Sequence, residues 1–216
     1  MRLPHVARYA PLLALGLVLT SGGQARAQDT LPPEGVLREG EVEVFLRTDQ
    51  GDLRLAIDTL RAPVTGRNFL RYVDAGLYGG GTFYRAVRDD NQPDDSVRID
   101  VVQGGMDRAR RRQAFDPIPL ESTEATGIQH LDGTLSMARS GPDTATAEFF
   151  ITVGPQPSLD AGGARNPDGF GFAAFGRVLT GMDVVRAMHG LPTDGQYLMT
   201  RVSIRFAERV GPRTNR

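Results

Sequence analysis

The sequence predicts one mainly-β domain whose short strands close into a barrel, and three observations support this fold class. Polar and apolar residues alternate over roughly eight short segments, which is the pattern of half-buried strands. Helical patterns are fewer, about two or three. No internal repeat and no change of composition divides the chain. Many short strands with few helices are typical of a closed barrel, which leaves no exposed sheet edge.

The first predicted element is a β-hairpin. Val42, Val44 and Leu46 alternate with charged residues, and residues 53–57 resume the alternation. Residues 49–52 lie between them and have the composition of a turn.

A helix is predicted next. Pro63 is tolerated in a first helical turn, Phe69, Leu70 and Val73 contribute to an apolar stripe, and Gly76 ends it. Further strands are predicted at 82–87, around 101–102, and at 133–138, 149–153, 172–178 and 202–206, with a second helix at 182–188.

The first residues have the pattern of a signal peptide. Arg2, His5 and Arg8 form a basic start, residues 9–20 are apolar and uncharged, and residues 25–27 supply a small-x-small cleavage pattern. The apolar run is shorter than the ~20 residues of a membrane-spanning helix. We therefore expect cleavage and no stable membrane anchor.

These patterns divide the chain into four parts. They are a signal peptide over 1–27, a flexible polar segment over 28–40, a single domain over 41–208 and a polar tail over 209–216. The protein is expected to be secreted, and to reside in the periplasm if its cell is Gram-negative. We expect a monomer.

Composition excludes several classes of function. All 25 basic residues are Arg, and three of them lie in the leader, so 22 basic residues face 26 acidic ones in the mature chain. This acidic balance argues against a nucleic-acid partner. The chain has no Cys, which excludes thiol nucleophiles and disulfides. Only His130 and His189 follow the leader, so neither a metal site nor a cofactor is predicted.

Seven short blocks occur in a fixed order between about residues 42 and 206. They are APVT at 62–65 with Asn68-Phe69, GLY at 76–78, TFYR at 82–85, VQGG at 102–105, GTLSMA at 133–138, EFFI at 148–151, and FGRV at 175–178 with Gly181-Met182. Together they resemble the cyclophilin-type peptidyl-prolyl cis-trans isomerases, here a divergent and exported bacterial member. The resemblance implies an eight-stranded antiparallel closed β-barrel capped by two α-helices, with no cofactor. It also implies that the protein acts on X-Pro bonds in exported polypeptide clients.

The resemblance assigns two polar residues to catalysis and binding. Rotation about an X-Pro bond has an uncatalysed barrier of ~18–20 kcal/mol, and the twisted amide nitrogen accepts a hydrogen bond better than the planar one. Arg85 matches the arginine that stabilises the twisted amide, and its guanidinium suits this role because it is a fixed, always charged donor. Gln103 matches the residue that positions the substrate backbone.

The resemblance also implies an apolar pocket for the proline ring. Phe150 matches its floor, and its adjacent neighbour Phe149 should face the other side of the sheet. The implied walls are Val101, Leu159 and Phe172, and the implied edge for residues before proline is Ala138, Arg139 and Ser140.

Several positions depart from the family pattern. Asp100 stands where an aromatic residue is usual, so its carboxylate is expected to point away or to pair with an Arg. Glu148 stands where Gln is usual, close to the expected place of Arg85, where it either orients the guanidinium through an ion pair or partly quenches its charge. Arg139 replaces a common Asn, and Phe172 a His or Tyr. These departures leave an alternative open, a non-catalytic cyclophilin-like module that binds extended Pro-containing segments.

The chain also contains the residue types of a hydrolase triad in one short stretch. His130, Asp132 and Ser136 lie close together in sequence, but no G-x-S-x-G elbow accompanies them. A hydrolase is therefore not predicted.

Overall fold

The computed structural model describes residues 35–92 and 96–211. The predicted signal peptide, residues 28–34 of the predicted N-terminal segment and residues 212–216 of the predicted tail lie outside the described residues.

A closed antiparallel β-barrel forms the body of the described chain, which confirms the predicted fold class. Eight strands follow one another around it in the order β1-β2-β7-β5-β6-β4-β3-β9, and β9 pairs with β1 to close it. The strands are β1 Glu41–Thr48, β2 Gly51–Asp58, β3 Thr82–Val87, β4 Val101–Gly105, β5 Thr134–Met137, β6 Phe149–Thr152, β7 Ala173–Thr180, β8 Thr193–Asp194 and β9 Tyr197–Arg209. The two-residue β8 forms a hairpin with β9.

Two helices of more than one turn pack on this barrel. They are α1, Pro63–Asp74, which lies against β2, β7 and β9, and α3, Met182–His189, which lies against β2, β3 and β4. A one-turn helix α2, Thr123–Thr126, was not predicted. Short 3-10 segments occupy Asp89–Asn91, Arg108–Gln113 and Pro157–Leu159. Among the described residues, no helix is long and apolar enough to cross a membrane.

The start of α1 is capped from a distant part of the chain. Ala62, the residue before it, makes no side-chain cap. The Glu121 carboxylate instead accepts the backbone N–H groups of Val64 at 3.1 Å and Thr65 at 2.7 Å. These groups lack partners within the helix, and a negative charge also complements the positive end of the helix dipole.

The core contains a group of interlocking aromatic rings. The ring of Phe69 from α1 lies 4.9 Å from Tyr78 and 5.3 Å, edge to face, from Phe149. Phe149 also meets Phe83 edge to face at 5.6 Å. A smaller apolar cluster, separate from this core, contains Val87, Ile99, Val101, Phe150 and Leu159. Four members of this second cluster, Ile99, Val101, Phe150 and Leu159, line a cleft described below.

Strand β9 is much longer than the sequence pattern indicates. Alternation predicts a strand at 202–206, whereas β9 runs from Tyr197 to Arg209. The strand is held by backbone pairing with β1, β3 and β8, so it continues through side chains that do not alternate, such as Met199, which is 73% exposed.

Candidate active site

A β-bulge on β3 directs Arg85 toward the cleft. Phe83 lies opposite Gly104 of β4 and Arg85 lies opposite Gln103, so Tyr84 is one residue in excess. Strict alternation would put Phe83 and Arg85 on the same face of the sheet. Because of the bulge, Phe83 is buried in the core while Arg85 lines the cleft.

The Arg85 guanidinium donates hydrogen bonds to the side-chain amide oxygens of two residues, Gln103 and Gln196. Its Nη1 donates to Oε1 of Gln103 at 2.8 Å. Its Nε donates to Oε1 of Gln196 at 3.1 Å, and its Nη2 donates to the same oxygen. Gln196 lies between β8 and β9, where its carbonyl accepts the N–H of Ala86 at 3.0 Å. The sequence analysis missed Gln196, and no local motif marks it.

Gln103 continues into a chain of polar side chains on the other side. Its Nε2 donates to the Tyr84 hydroxyl at 2.7 Å, and this hydroxyl donates to Oε2 of Glu148 at 2.8 Å. Burial raises the pKa of Tyr84 well above its usual value, and the nearby Glu148 carboxylate adds to the rise. Burial also raises the pKa of Glu148, while the Tyr84 hydrogen bond and the charges of Arg108 and Arg111 act against the rise.

Two glycines of the Gln-Gly-Gly block make room for this arrangement. A Cβ on Gly104 would lie 2.8 Å from the Phe83 ring, and one on Gly105 would lie 2.4 Å from the carboxylate carbon of Glu148. Gly104 therefore admits a core side chain, and Gly105 admits the carboxylate.

A cleft of about 220 Å³ contains most of the predicted site residues. Its lining comprises Arg85, Ile99, Val101, Gln103, Ala138, Arg139, Phe150, Leu159, Arg165, Asn166 and Phe172. Ile99, Arg165 and Asn166 were not predicted. A second, more open groove of about 190 Å³ adjoins it and contains the remaining two predicted residues, Ser140 and Glu148, together with Gln103, Ala138, Arg139, Thr144 and Thr146.

Phe150 lies at the floor of the cleft, 5% exposed, on the face of β6 opposite to Phe149. The Phe172 ring meets it edge to face at 5.3 Å, and the buried His130 ring stacks beneath it at 6.0 Å. His130 Nδ1 is 2.7 Å from Oδ1 of Asp160, and Nε2 is 2.9 Å from the Ser136 hydroxyl.

The trio of His130, Asp160 and Ser136 has the residue types of a hydrolase triad, but its carboxylate is Asp160 and not the Asp132 that lies close in sequence. Asp132 instead accepts the N–H of Gly154 at 2.7 Å and pairs with Arg186. Ser136 is fully buried, so its hydroxyl is closed to a substrate. The trio supports the aromatic floor.

Comparison with known proteins agrees with this geometry. The model of the family "Cyclophilin type peptidyl-prolyl cis-trans isomerase/CLD" matches residues 43–209. This chain belongs to the cyclophilin-type isomerase family. It is 36% identical over 152 residues to peptidyl-prolyl cis-trans isomerase A of Dickeya dadantii, covering 70% of this chain and 73% of that protein. Isomerase B of Escherichia coli is 32% identical over 151 residues, covering 69% and 85%.

A solved structure shares the fold. The cyclophilin-type isomerase of Cryptosporidium parvum superposes with a TM-score of 0.61 at 20% identity, covering 80% of this chain and 99% of that chain. The family match and the sequence relatives together show that the protein is a cyclophilin-type peptidyl-prolyl cis-trans isomerase.

In this cyclophilin, Arg139 holds the loop of residues 160–171 against the cleft. Its guanidinium makes a two-pronged pair with Asp168, at 2.7 and 2.9 Å, and its Nε donates to the Gly171 carbonyl at 2.8 Å. The same group lies over the Phe172 ring at 5.3 Å from its centre. A predicted edge residue therefore also supports the wall of the cyclophilin's cleft.

Asp100 is absent from the lining of both grooves. Its carboxylate therefore points away from the cleft, one of the two placements expected for it, and its Oδ1 lies 3.5 Å from Nε2 of His189, a nitrogen that is 2.9 Å from the Val87 carbonyl. Ile99 lines the cleft beside Val101. The departure from the family pattern at Asp100 thus leaves the cleft of this cyclophilin apolar at that side.

Proposed function

We propose that this isomerase rotates X-Pro bonds of exported polypeptides, with Arg85 stabilising the twisted amide and the apolar cleft holding the proline ring. The observation that carries the proposal is a guanidinium, fixed by two amide oxygens, that borders a cleft with an aromatic floor. Each part of the proposal has its own physical support.

The role of Arg85 follows from the electronic change in the substrate. As the peptide bond twists, conjugation is lost and the prolyl nitrogen becomes a hydrogen-bond acceptor. A donor aimed at that nitrogen stabilises the twisted state more than either planar state, which lowers the barrier. Gln103 and Gln196 hold the guanidinium before substrate arrives, so little reorganisation remains during the reaction.

The cleft suits the proline ring in size and polarity. Phe150 and Phe172 meet at a right angle, and Val101 and Leu159 complete an apolar surface around them. Burying the three ring methylenes contributes about 2 kcal/mol of binding free energy. A ring held in this way stays fixed while the preceding carbonyl rotates.

The substrate backbone is proposed to run along Gln103 into the adjoining groove. One N–H of the Gln103 amide is used by Tyr84, and within the described residues its second N–H has no protein partner. That N–H can donate to a substrate carbonyl. The Cryptosporidium parvum relative, whose fold matches with a TM-score of 0.59, was also solved in the presence of the dipeptide Ala-Pro, which supports a proline-containing ligand.

Export is proposed from the leader. The basic start, the apolar run of residues 9–20 and the small-x-small pattern of residues 25–27 support it. The clients are then Pro-containing chains that fold outside the cytoplasm. N-terminal sequencing of protein expressed in a Gram-negative host tests this: a periplasmic product should begin near Gln28, and a cytoplasmic product that retains Met1 would contradict export.

Isomerisation of a short X-Pro peptide tests the catalytic part. We expect Arg85→Ala to lower kcat/KM roughly a hundredfold, as removal of an electrostatic donor does elsewhere. The matched control is Arg205→Ala, which removes an exposed Arg paired with Asp49 and should leave kcat/KM unchanged. Full activity in Arg85→Ala would refute the role of Arg85. A wild type no faster than buffer that still binds the peptide would indicate the non-catalytic binding module instead.

A further inference from the structure

Tyr84 and Glu148 are linked to Arg85 by an unbroken series of side-chain hydrogen bonds. Arg85 Nη1 donates to Gln103 Oε1 at 2.8 Å, Gln103 Nε2 donates to the Tyr84 hydroxyl at 2.7 Å, and that hydroxyl donates to Glu148 Oε2 at 2.8 Å. The series thus begins at a cation and ends at a carboxylate.

The two ends permit only one direction of donation along the series. A guanidinium only donates, so Gln103 must present its oxygen to Arg85 and its NH2 group to Tyr84. An ionised carboxylate only accepts, so the Tyr84 hydroxyl must donate to Glu148 and accept from Gln103. Each of the three bonds then joins a donor to an acceptor, and each charged end strengthens the bonds between them.

Loss of the carboxylate would remove this constraint. The Tyr84 hydroxyl could then donate to the oxygen of Gln103, with the amide turned over. In that state the NH2 group of Gln103 would face the N–H groups of Arg85, and Arg85 would lose an acceptor. Two orientations of Gln103 would compete where the intact series allows one.

We propose that Tyr84 and Glu148 are positioning residues of this isomerase: they lock the Gln103 amide in one orientation and thereby hold Arg85, so activity depends on the ionisation of Glu148. This inference rests on the role proposed for Arg85. In this proposal Glu148 acts on the guanidinium through Tyr84 and Gln103.

The surroundings of Glu148 favour a carboxylate that titrates above its ordinary range. It lies directly over Gly105, and burial raises its pKa. The Tyr84 hydrogen bond and the charges of Arg108 and Arg111 lower the pKa in part. The titratable and charged groups that face it are Tyr84 from β3, Asp107, Arg108 and Arg111 after β4, Arg139 after β5, Arg201 from β9, and Tyr72 and Tyr78 from α1 and the segment after it.

The sign of the pH dependence follows from the ionised form being the active one. Activity should be full above the raised pKa of Glu148 and should decline as pH falls through it. This decline, the acid limb of the pH profile, should therefore have its midpoint above ~4.3, the ordinary pKa of a glutamate.

Exchange NMR on an X-Pro peptide, from about pH 4 to pH 8, measures this without a coupling protease. Glu148→Gln carries an amide that can donate as well as accept, so it should resemble the protonated carboxyl: at neutral pH its kcat should be lowered to the level that wild type reaches at acid pH, and the acid limb should be lost. Glu148→Leu and Tyr84→Phe break the series and should each lower kcat about three- to tenfold at neutral pH, with KM little changed. Asp49→Asn, a carboxylate change at the Arg205 ion pair, should leave the limb unchanged.

Circular dichroism at each pH separates loss of activity from unfolding. A wild type without the acid limb, or a Glu148→Gln variant that keeps it, would overturn the dependence on ionisation. Wild-type kcat in both Tyr84→Phe and Glu148→Leu would overturn the positioning role. If Glu148→Leu does not fold, Tyr84→Phe alone decides. Full activity in Arg85→Ala refutes the proposed function itself, whereas an impaired Arg85→Ala beside an intact Tyr84→Phe refutes only this inference.

Discussion

The apolar floor and the polar rim of the cleft are assembled from different ranges of the chain. The apolar floor, taken here together with its walls, comprises Phe150, Leu159 and Phe172 from one stretch of sequence, and these residues pack on each other and on Val101 of neighbouring β4. The rim combines Arg85 with an amide oxygen from Gln196, 111 residues away. The floor thus needs the pairing of β6 with β4, whereas the rim needs the turn between β8 and β9 to lie beside β3.

The two regions should also differ in what they contribute. Burial of apolar side chains stabilises the folded state in proportion to the area removed from water. A typical side-chain hydrogen bond contributes only about 0.5–1.5 kcal/mol to stability, because water competes for both partners. Changes in the floor should therefore reduce stability and activity together, and changes in the rim should reduce activity alone.

Phe150→Ala should have the largest effect and should test the floor. The residue is 5% exposed and contacts two rings, so its truncation should lower the free energy of unfolding by about 3 kcal/mol. Loss of the pocket floor should lower kcat/KM on the order of a hundredfold. Urea unfolding and peptide isomerisation measure the two effects. Phe150→Leu retains most of the side-chain volume and serves as the control. Unchanged stability in Phe150→Ala would contradict the claim that the floor, unlike the rim, stabilises the fold.

Gln196→Met should test the rim with a side chain of similar length. It removes the oxygen that Nε and Nη2 of Arg85 use, while the backbone bond from Ala86 remains. We expect kcat/KM to fall about tenfold with less than about 1 kcal/mol lost from the free energy of unfolding. The control is Gln113→Met, because Gln113 accepts only from the surface residue Arg110 among the described residues. A large loss of stability in Gln196→Met would show that the rim, too, is a packing element.

Pattern and resemblance contribute differently to the floor and to the rim. Adjacent residues on a strand face opposite sides, so alternation places Phe149 and Phe150 on opposite faces, and the family resemblance assigns Phe150 to the cleft. Arg85 and Gln103 were found through the family resemblance. Alternation alone would place Arg85 on the same face as the buried Phe83, because it does not show the bulge at Tyr84. Neither the bulge nor the partner of Glu148 is visible in a linear pattern.

Distant polar contacts account for the other residues that sequence reasoning missed. Gln196, Arg165 and Asn166 reach the cleft from a turn and from a long loop. Arg165, for example, donates to the Val97 carbonyl at 2.6 Å and so joins the loop between β6 and β7 to the segment before β4. Such contacts join residues that lie far apart in sequence, and local composition does not encode them.

Asp168→Asn should have the smallest effect and should sharpen the comparison where rim and floor meet. Arg139 is a polar residue that serves the floor, because it covers Phe172 and binds both Asp168 and the Gly171 carbonyl. Its hydrogen bonds hold the pKa of Asp168 below the ordinary value, so the ion pair is complete at neutral pH and is lost only as pH falls through that lowered pKa.

Asp168→Asn removes the charge and leaves the Gly171 contact in place, so kcat/KM should change less than about twofold. Hydrogen exchange of residues 160–171 should nevertheless become faster, because the pair between the buried Arg139 side chain and the partly exposed Asp168 holds this loop in place. The matched control is Asp52→Asn, which removes a similar two-pronged pair with Arg47 on the hairpin β1–β2. If Asp168→Asn lowered kcat/KM as strongly as Gln196→Met, residues 160–171 would contribute to catalysis and would have to be counted with the rim.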